Sequence, residues 1–153
     1  SNNYGPFQNP EKLIPLTISR IMANKKIPIY GTGKNIRDWI FVDDHNDAIW
    51  EVYSRGKSGN VYNIGGDCEI RNVEIVKKIL SLMNKGEELI EFVEDRKGHD
   101  WRYSVDFSKI ESELSWKPKV NIDTGLQKTV KWYSENKKWL TEVQNRSTNE
   151  VII

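Results

Sequence analysis

The chain has 153 residues, 37% hydrophobic and 29% charged, which is enough for one domain with a hydrophobic core. Its formal net charge of +1 and the lack of a dense basic run argue against a nucleic-acid partner. The single cysteine excludes an internal disulfide, the apolar runs are too short to cross a bilayer, and no secretory leader is recognisable, so we expect a cytoplasmic location.

The first part of the chain predicts a helix followed by two extended segments. Apolar residues recur at helical spacing from residue 10 to about residue 24, with Asn9 in the N-cap position. Residues 28–30 and 39–42 have the composition of short strands on either side of a glycine turn. This alternation indicates a mixed fold.

Further elements are predicted from capping residues and composition. Asp43 or Asp44 would cap a second helix, and Asn72 a third. Between them, GNVYNIGG has the β-branched and aromatic centre of a strand bounded by glycines. The inner face of the second helix is predicted to carry Ala48, Ile49, Val52 and Tyr53.

The last third of the chain predicts a strand in LIEFVED, a polar loop in DRKGHDWRY and two helices. A short helix would begin at Ser108, and a long last helix at Asp123 would run towards Trp139. We therefore predict a mixed α/β domain over residues 1–143 and a polar tail over residues 144–153. No predicted strand is followed by a Gly-x-Gly-x-x-Gly loop for a dinucleotide.

Local patterns that resemble catalytic or metal sites fail on their spacing. YGTGKN lacks the Walker A spacing, and a tight turn explains it better. DDHND places carboxylates at a helix start, where capping and the helix dipole favour them, and no second cluster completes a metal site. Neither His45 nor His99 is accompanied by a nucleophile in an elbow-like turn. We predict no catalytic residue and no metal ligand.

A loop at residues 95–102 concentrates two arginines and a histidine beside a glycine. A solvated loop and a diphosphate-binding loop explain this composition equally well, since arginine offers paired planar donors. Tyr30 and Arg37 add an aromatic ring and a cation, and Asn63 adds an amide beside a glycine turn. Together these residues indicate an anionic ligand with a flat ring, which describes a nucleotide.

Four segments carry a resemblance to a known family. In chain order they are SNNYGPFQNPEKLIP, PIYGTGKNIRDWIFVDDH, VYNIGG and EDRKGHDWRYSVDFSKIESELSWKP. They resemble the C-terminal half of the nucleotide-sugar 4,6-dehydratases, in particular those that act on dTDP-glucose, which are extended short-chain dehydrogenases/reductases (SDRs). The resemblance implies that this chain is the small mixed α/β substrate-binding domain of an extended SDR, without the N-terminal Rossmann domain.

The resemblance also implies an activity. Family members are lyases that use bound NAD to convert dTDP-glucose into dTDP-4-keto-6-deoxyglucose and water, in deoxysugar biosynthesis. NAD and the catalytic residues belong to the Rossmann domain, and none of those catalytic residues matches a position here. We therefore expect the chain alone to be inactive. The full-length protein would be a homodimer, whereas this part is compatible with a monomer.

Matching positions then assign the site residues. Asn3 would face the nicotinamide side of NAD, and Arg37 and Asn63 would bind the diphosphate. Residues 28–30 would pack on the thymine and deoxyribose, and residues 95–99 would close over the nucleotide. The full predicted substrate set is Asn2, Lys12, Leu13, Pro28, Ile29, Tyr30, Arg37, Asn63, Asp95, Arg96, Lys97, Gly98 and His99.

Two alternatives remain open at this point. The first is a 4,6-dehydratase or epimerase of the same superfamily that takes a UDP-sugar, because one sequence does not tell how residues 28–30 read the base. The second is a non-catalytic nucleotide-binding module. In each case the partner is a nucleotide or nucleotide sugar, and we expect no membrane or nucleic-acid partner.

Overall fold

The structure, a computed structural model, describes residues 1–149, with side chains through Arg146. The strands are β1 (Asn2–Tyr4), β2 (Ile27–Tyr30), β3 (Ile36–Phe41), β4 (Glu69–Arg71), β5 (Ile90–Val93) and β6 (Arg102–Tyr103). The helices are α1 (Leu13–Met22), α2 (Val42–Arg55), α3 (Asn72–Leu82), α4 (Ser108–Leu114), α5 (Ile122–Glu135) and α6 (Lys137–Asn149), with a 3₁₀ turn at Glu87–Leu89. None of the helices described combines the length and hydropathy that a membrane span requires. The predicted mixed α/β class is confirmed.

Two sheets organise the strands. β3 is the centre of the larger sheet, where β1 and β6 pair with it in parallel and β4 pairs antiparallel. The register places Asn2 beside Trp39 and Ile70 beside Arg37. β2 and β5 form the second, two-stranded parallel sheet. β3 is therefore an interior strand of this sheet.

Two apolar cores hold these elements together. The larger core packs α1, α3 and α5 against the strands, and its fully buried members include Ile14, Ile18, Ile75, Ile79 and Leu126. The smaller core lies between β3, α2 and α4 and contains Ile40, Ala48, Ile110, Leu114 and Trp116. Burial of each large aliphatic side chain contributes roughly 1.5–3 kcal/mol to stability. β3 supplies side chains to both cores and is fixed between them.

Helix α2 differs from the prediction in its apolar face and its cap. Ala48 is fully buried, but Ile49 is 50% exposed and Tyr53 is 81% exposed, so half of the predicted inner face was wrong. Asp44 does not cap α2. Its Oδ2 atom accepts hydrogen bonds from the backbone N–H groups of residues 119–120, at 3.0 and 2.8 Å. The buried carboxylate instead ties α2 to the connection between α4 and α5.

Two other predicted elements are wrong in extent. GNVYNIGG is irregular rather than a strand, because its backbone joins neither sheet. The predicted long last helix is broken at Asn136, whose backbone leaves the helical conformation with φ −115° and ψ 41°. The N-cap of α5 is Asn121, not Asp123, and its Oδ1 accepts from the Thr124 N–H at 2.9 Å.

The C-terminal end is helical beyond the predicted domain boundary. α6 continues through Asn149, so the first part of the predicted polar tail has helical backbone. Residues 150–153, the rest of that tail, lie outside the described residues. The boundary at residue 143 stays a prediction.

Candidate functional site

A cavity of about 620 Å³ is walled by residues of β1, β2 and β3, the segment that enters α1, and the loop before β6. Its volume lies in the range of small-molecule sites, roughly 300–1,000 Å³. Ten of the fourteen predicted site residues line it, namely Asn2, Asn3, Lys12, Leu13, Pro28, Ile29, Tyr30, Arg37, Arg96 and His99. The other four, Asn63, Asp95, Lys97 and Gly98, do not. The fold thus brings together positions that are far apart in the sequence.

The pairing of β2 with β5 explains why Tyr30 meets the loop at residues 95–99. The parallel register places Tyr30 beside Val93, and the loop begins immediately after β5. Gly31 continues this contact by donating its N–H to the Val93 carbonyl at 2.9 Å. It has φ +56°, and a Cβ there would lie 2.7 Å from Asp95 Oδ2. Glycine therefore lets the loop approach the end of β2.

Three cations line the cavity: Lys12, Arg37 and Arg96. Within residues 1–146, none of the three forms an ion pair with a carboxylate. Arg37 uses two of its five N–H donors on backbone carbonyls, those of Ile36 at 2.7 Å and Asp100 at 3.0 Å. These bonds orient its guanidinium without neutralising the charge. The lining therefore retains positive charge and free donors for an anion.

Tyr30 provides an aromatic surface at the entrance. The ring is 42% exposed, the Arg96 guanidinium carbon lies 4.7 Å from its centroid, and the His99 ring meets it edge-on at 6.4 Å. A flat ring flanked by a guanidinium and an imidazole can stack with a planar ligand group.

Asp95 does not line the cavity but contacts it through His99. The Asp95 Oδ1 and His99 Nδ1 atoms are 2.7 Å apart, and Arg96 Nη2 lies 3.3 Å from His99 Nε2. Because arginine only donates, Nε2 is the acceptor and Nδ1–H donates to Asp95. The hydrogen bond from His99 is the largest cause that lowers the pKa of Asp95, with the Arg96 backbone N–H adding to it. Asp95 thereby fixes the tautomer of His99 and the position of Arg96.

The start of helix α1 also faces the cavity. Lys12 precedes the helix, Leu13 is its first residue, and no acidic residue lies in its first turn. A helix N-terminus carries unpaired N–H groups and a partial positive charge. This end of α1 adds to the anion-binding character that Lys12 and Arg37 provide.

Five lining residues were not predicted: Gln8, Glu11, Leu16, Trp39 and Asn72. Trp39 was detectable, because it follows Arg37 by two positions in a strand and so lies on the same face. The others come from irregular segments or helix starts and have no comparable signal.

Four side chains that line the cavity contain a buried polar atom that has no hydrogen-bond partner within residues 1–146. These atoms are Asn3 Oδ1, Gln8 Oε1, Trp39 Nε1 and Asn72 Oδ1. Buried polar groups are normally paired, so their concentration here is unusual.

The remaining predicted residues lie away from the cavity. The Asn63 amide is exposed and donates to the Asp106 carbonyl at 3.1 Å, and Lys97 and Gly98 are exposed at the tip of the loop. Their proposed contacts with a ligand stay predictions.

A second, smaller cavity of about 330 Å³ is lined by acidic and apolar residues. Two of its three carboxylates are engaged within the protein: Asp38 accepts from the backbone N–H groups of Gly66 and Cys68, and Glu69 pairs with Arg102. In the described part of the chain, no group of His, Cys, Asp or Glu has the arrangement of a metal site.

Comparison with known proteins gives several extended matches. The dTDP-glucose 4,6-dehydratase of Escherichia coli is 45% identical over 158 residues, which cover 96% of this chain and 44% of that protein. The crystal structure of dTDP-glucose 4,6-dehydratase from Bacillus anthracis in complex with NAD matches with a TM-score of 0.90 and 48% identity, covering 94% of this chain and 45% of that one. A more distant match is the UDP-glucose 4-epimerase of Thermotoga maritima with UDP-glucose, with a TM-score of 0.83, 27% identity, and coverage of 89% and 44%.

These matches define the relationship of the chain to its relatives. The chain spans less than half the length of the relatives that it matches. The sequence profile described as GDP-mannose 4,6 dehydratase matches residues 1–129. Because this region is most of the chain, and its relatives include the dehydratases that the sequence resembled, the chain belongs to the GDP-mannose 4,6-dehydratase family of extended SDRs.

Proposed function

We propose that this chain is the substrate-binding part of an NAD-dependent dTDP-glucose 4,6-dehydratase, a lyase that forms dTDP-4-keto-6-deoxyglucose and water. One observation carries the proposal. The cavity combines the exposed ring of Tyr30 with three cations that have no carboxylate partner among the described residues. A nucleotide sugar has a flat base, a diphosphate and a hydroxyl-rich hexose, and the first two match this lining.

The order of the lining residues supports one orientation of the ligand. The base would pack on residues 28–30, beside Arg96. The diphosphate would lie between Arg37, Lys12 and the start of α1. The hexose would then extend towards Asn2, next to β1. The similarity to dehydratases at 45–48% identity supports dTDP as the nucleotide.

NAD is the cofactor that this function requires. Among residues 1–149, no strand is followed by a glycine-rich dinucleotide loop, so these residues do not fit the whole cofactor. Asn3 is the residue that we propose to face NAD, because its Oδ1 atom is buried without a partner. NAD supplies hydride transfer when it is bound, but we derive no such step from these residues. We expect the chain by itself to be inactive.

Isothermal titration calorimetry of the chain with dTDP-glucose, UDP-glucose and free glucose tests the proposal. We expect dTDP-glucose to bind, UDP-glucose to bind more weakly, and glucose alone to give no heat. Tighter binding of UDP-glucose would favour the UDP-sugar alternative. A folded chain, verified by circular dichroism, that binds neither nucleotide sugar would overturn the proposed site. The homodimer and the cytoplasmic location stay predictions.

A further inference from the structure

Trp39 is the residue of the cavity wall whose chemistry is least explained by the fold. It lines the cavity, it is only 6% exposed, and its indole Nε1 has no hydrogen-bond partner in the described part of the chain. We propose that Trp39 is a substrate-binding residue whose indole N–H donates a hydrogen bond to the hexose of the bound sugar nucleotide. This inference rests on the proposed function, because it assigns a further contact to the same ligand.

The unpaired indole N–H of Trp39 carries an energetic cost. Indole nitrogen only donates, and a buried donor without an acceptor loses the hydrogen bond that it makes with water in the unfolded chain. Packing in the larger core uses the ring of Trp39, as in the edge-on contact with Tyr4 at 6.4 Å, and does not use the N–H. A ligand acceptor would supply the missing partner.

The position of Trp39 along β3 indicates which part of the ligand it meets. Side chains two residues apart on a strand share one face and are separated by about 6.5 Å. Arg37, the proposed diphosphate ligand, precedes Trp39 by two residues and leans towards Asp100, while Trp39 lies beside Asn2 of β1. A hexose attached to the diphosphate on the side away from Tyr30 would therefore reach Trp39.

The amide of Gln8, another residue of the cavity lining, favours a hydroxyl group over a phosphate. Gln8 donates its Nε2 to the Asn3 carbonyl at 2.7 Å. This bond orients the amide, so the unpaired atom Gln8 Oε1 is an acceptor. A phosphate oxygen would face this acceptor unfavourably, whereas a hydroxyl both donates and accepts. Gln8 Oε1 and Trp39 Nε1 are shielded from solvent, so side chains of the wall must rotate slightly as the hexose enters.

A matched pair of variants tests the inference. Trp39→Phe removes the N–H and keeps an aromatic ring. Trp116→Phe is the control, since Trp116 is also buried, at 4% exposed, with an unpaired Nε1, but lies in the smaller core and not at the cavity. We expect Trp39→Phe to weaken dTDP-glucose binding about 3- to 10-fold, as for a typical neutral hydrogen bond, and to leave dTDP binding within about twofold. Trp116→Phe should change neither affinity.

The outcomes separate this inference from the proposed function. If the unsubstituted chain binds neither dTDP nor dTDP-glucose, the proposed function fails and the inference fails with it. If it binds both, and Trp39→Phe behaves like Trp116→Phe, only the inference is overturned. An equal loss for dTDP and dTDP-glucose would place the donor at the diphosphate and overturn the hexose contact.

A measurement on the unsubstituted chain avoids dependence on a variant that folds poorly. The chain has six tryptophans, so its ¹H–¹⁵N spectrum contains a small set of indole signals to assign. We expect the Trp39 indole proton to move downfield with dTDP-glucose and not with dTDP, while the Trp116 signal stays in place. A Trp39 signal that does not respond to dTDP-glucose at saturation would contradict the proposal.

Discussion

The polar groups on the two faces of strand β3 differ in how they are paired. On one face, the buried carboxylate of Asp38 accepts from the N–H groups of Gly66 at 2.8 Å and Cys68 at 2.9 Å. On the cavity face, Trp39 has an unpaired indole N–H, and Arg37 has no carboxylate partner among residues 1–146. Polar groups paired within the protein stabilise its fold, whereas unpaired groups are available to a ligand.

Adjacent residues of one strand can therefore have separate roles. Because side chains alternate, Asp38 and Ile40 face the smaller core and its loop, while Arg37 and Trp39 face the cavity. Substitutions on one face should therefore change stability, and substitutions on the other should change ligand affinity.

Asp38→Ala should give the largest effect, a loss of about 2–4 kcal/mol in the free energy of unfolding. The substitution leaves two backbone N–H groups without their acceptor at a site where Asp38 is 1% exposed. Urea denaturation measures the loss. Asp47→Ala is the control, because Asp47 is exposed and its contact with Lys119 is long, at 3.4 Å. Equal stabilities of the two variants would show that this face of β3 is not structural.

Arg37→Ala should change affinity rather than stability. Loss of a charge-assisted contact with the diphosphate, typically about 1.5–3 kcal/mol, predicts dTDP-glucose binding weaker by about 10- to 100-fold. The free energy of unfolding should fall by less than about 1 kcal/mol, because Arg37 bonds only to backbone carbonyls. Calorimetry and denaturation give the two numbers.

Arg55→Ala is the matched control for Arg37→Ala. Arg55 lies on α2, pairs with Glu51 and does not line the cavity, so its removal should leave ligand affinity unchanged. Similar affinities for the Arg37 and Arg55 variants would mean that the cavity face of β3 does not bind the diphosphate.

His99→Phe should have the smallest effect, confined to the loop at residues 95–99. The hydrogen bond from His99 lowers the pKa of Asp95, so this contribution to stability is present above the ordinary carboxyl pKa of about 3.9 and is lost as pH falls through the lowered value. Removing the imidazole should raise the pKa of Asp95 towards its ordinary value. The stability of the variant should therefore depend less on pH in this acidic range.

A carbon-detected NMR titration of the side-chain carboxyls measures this shift. The pKa of Asp106 is the internal control, because its lowering comes from Ser108 and should not respond to His99→Phe. An Asp95 pKa that is the same in both chains would show that His99 does not donate to this carboxylate.

Much of the fold could be predicted because its signals are local. Helical spacing gave α3, although its N-cap is Arg71 and not the predicted Asn72, and the start of α4 at Ser108. β-branched composition gave β2, β5 and the second half of β3. Most of the candidate cavity also followed, since matching positions to a family supplied residues such as Tyr30 and Arg37.

The features that could not be predicted depend on distant parts of the chain. The acidic start of α2 looked like a cap, but the partners of Asp44 are 75 and 76 residues away. The position of Trp39 on the same face as Arg37 was detectable, but only the cavity beside it distinguishes its N–H from that of Trp116. The Asn63 amide donates to the Asp106 carbonyl, a partner 43 residues away that its motif does not predict.

A crystal structure of the chain with dTDP-glucose tests the central claim, that the cavity face of β3 binds a nucleotide sugar. We expect the base at residues 28–30 beside Arg96, the diphosphate at Arg37 and Lys12, and the hexose next to Trp39. A ligand bound outside this cavity, or one whose diphosphate contacts neither Arg37 nor Lys12, would contradict it.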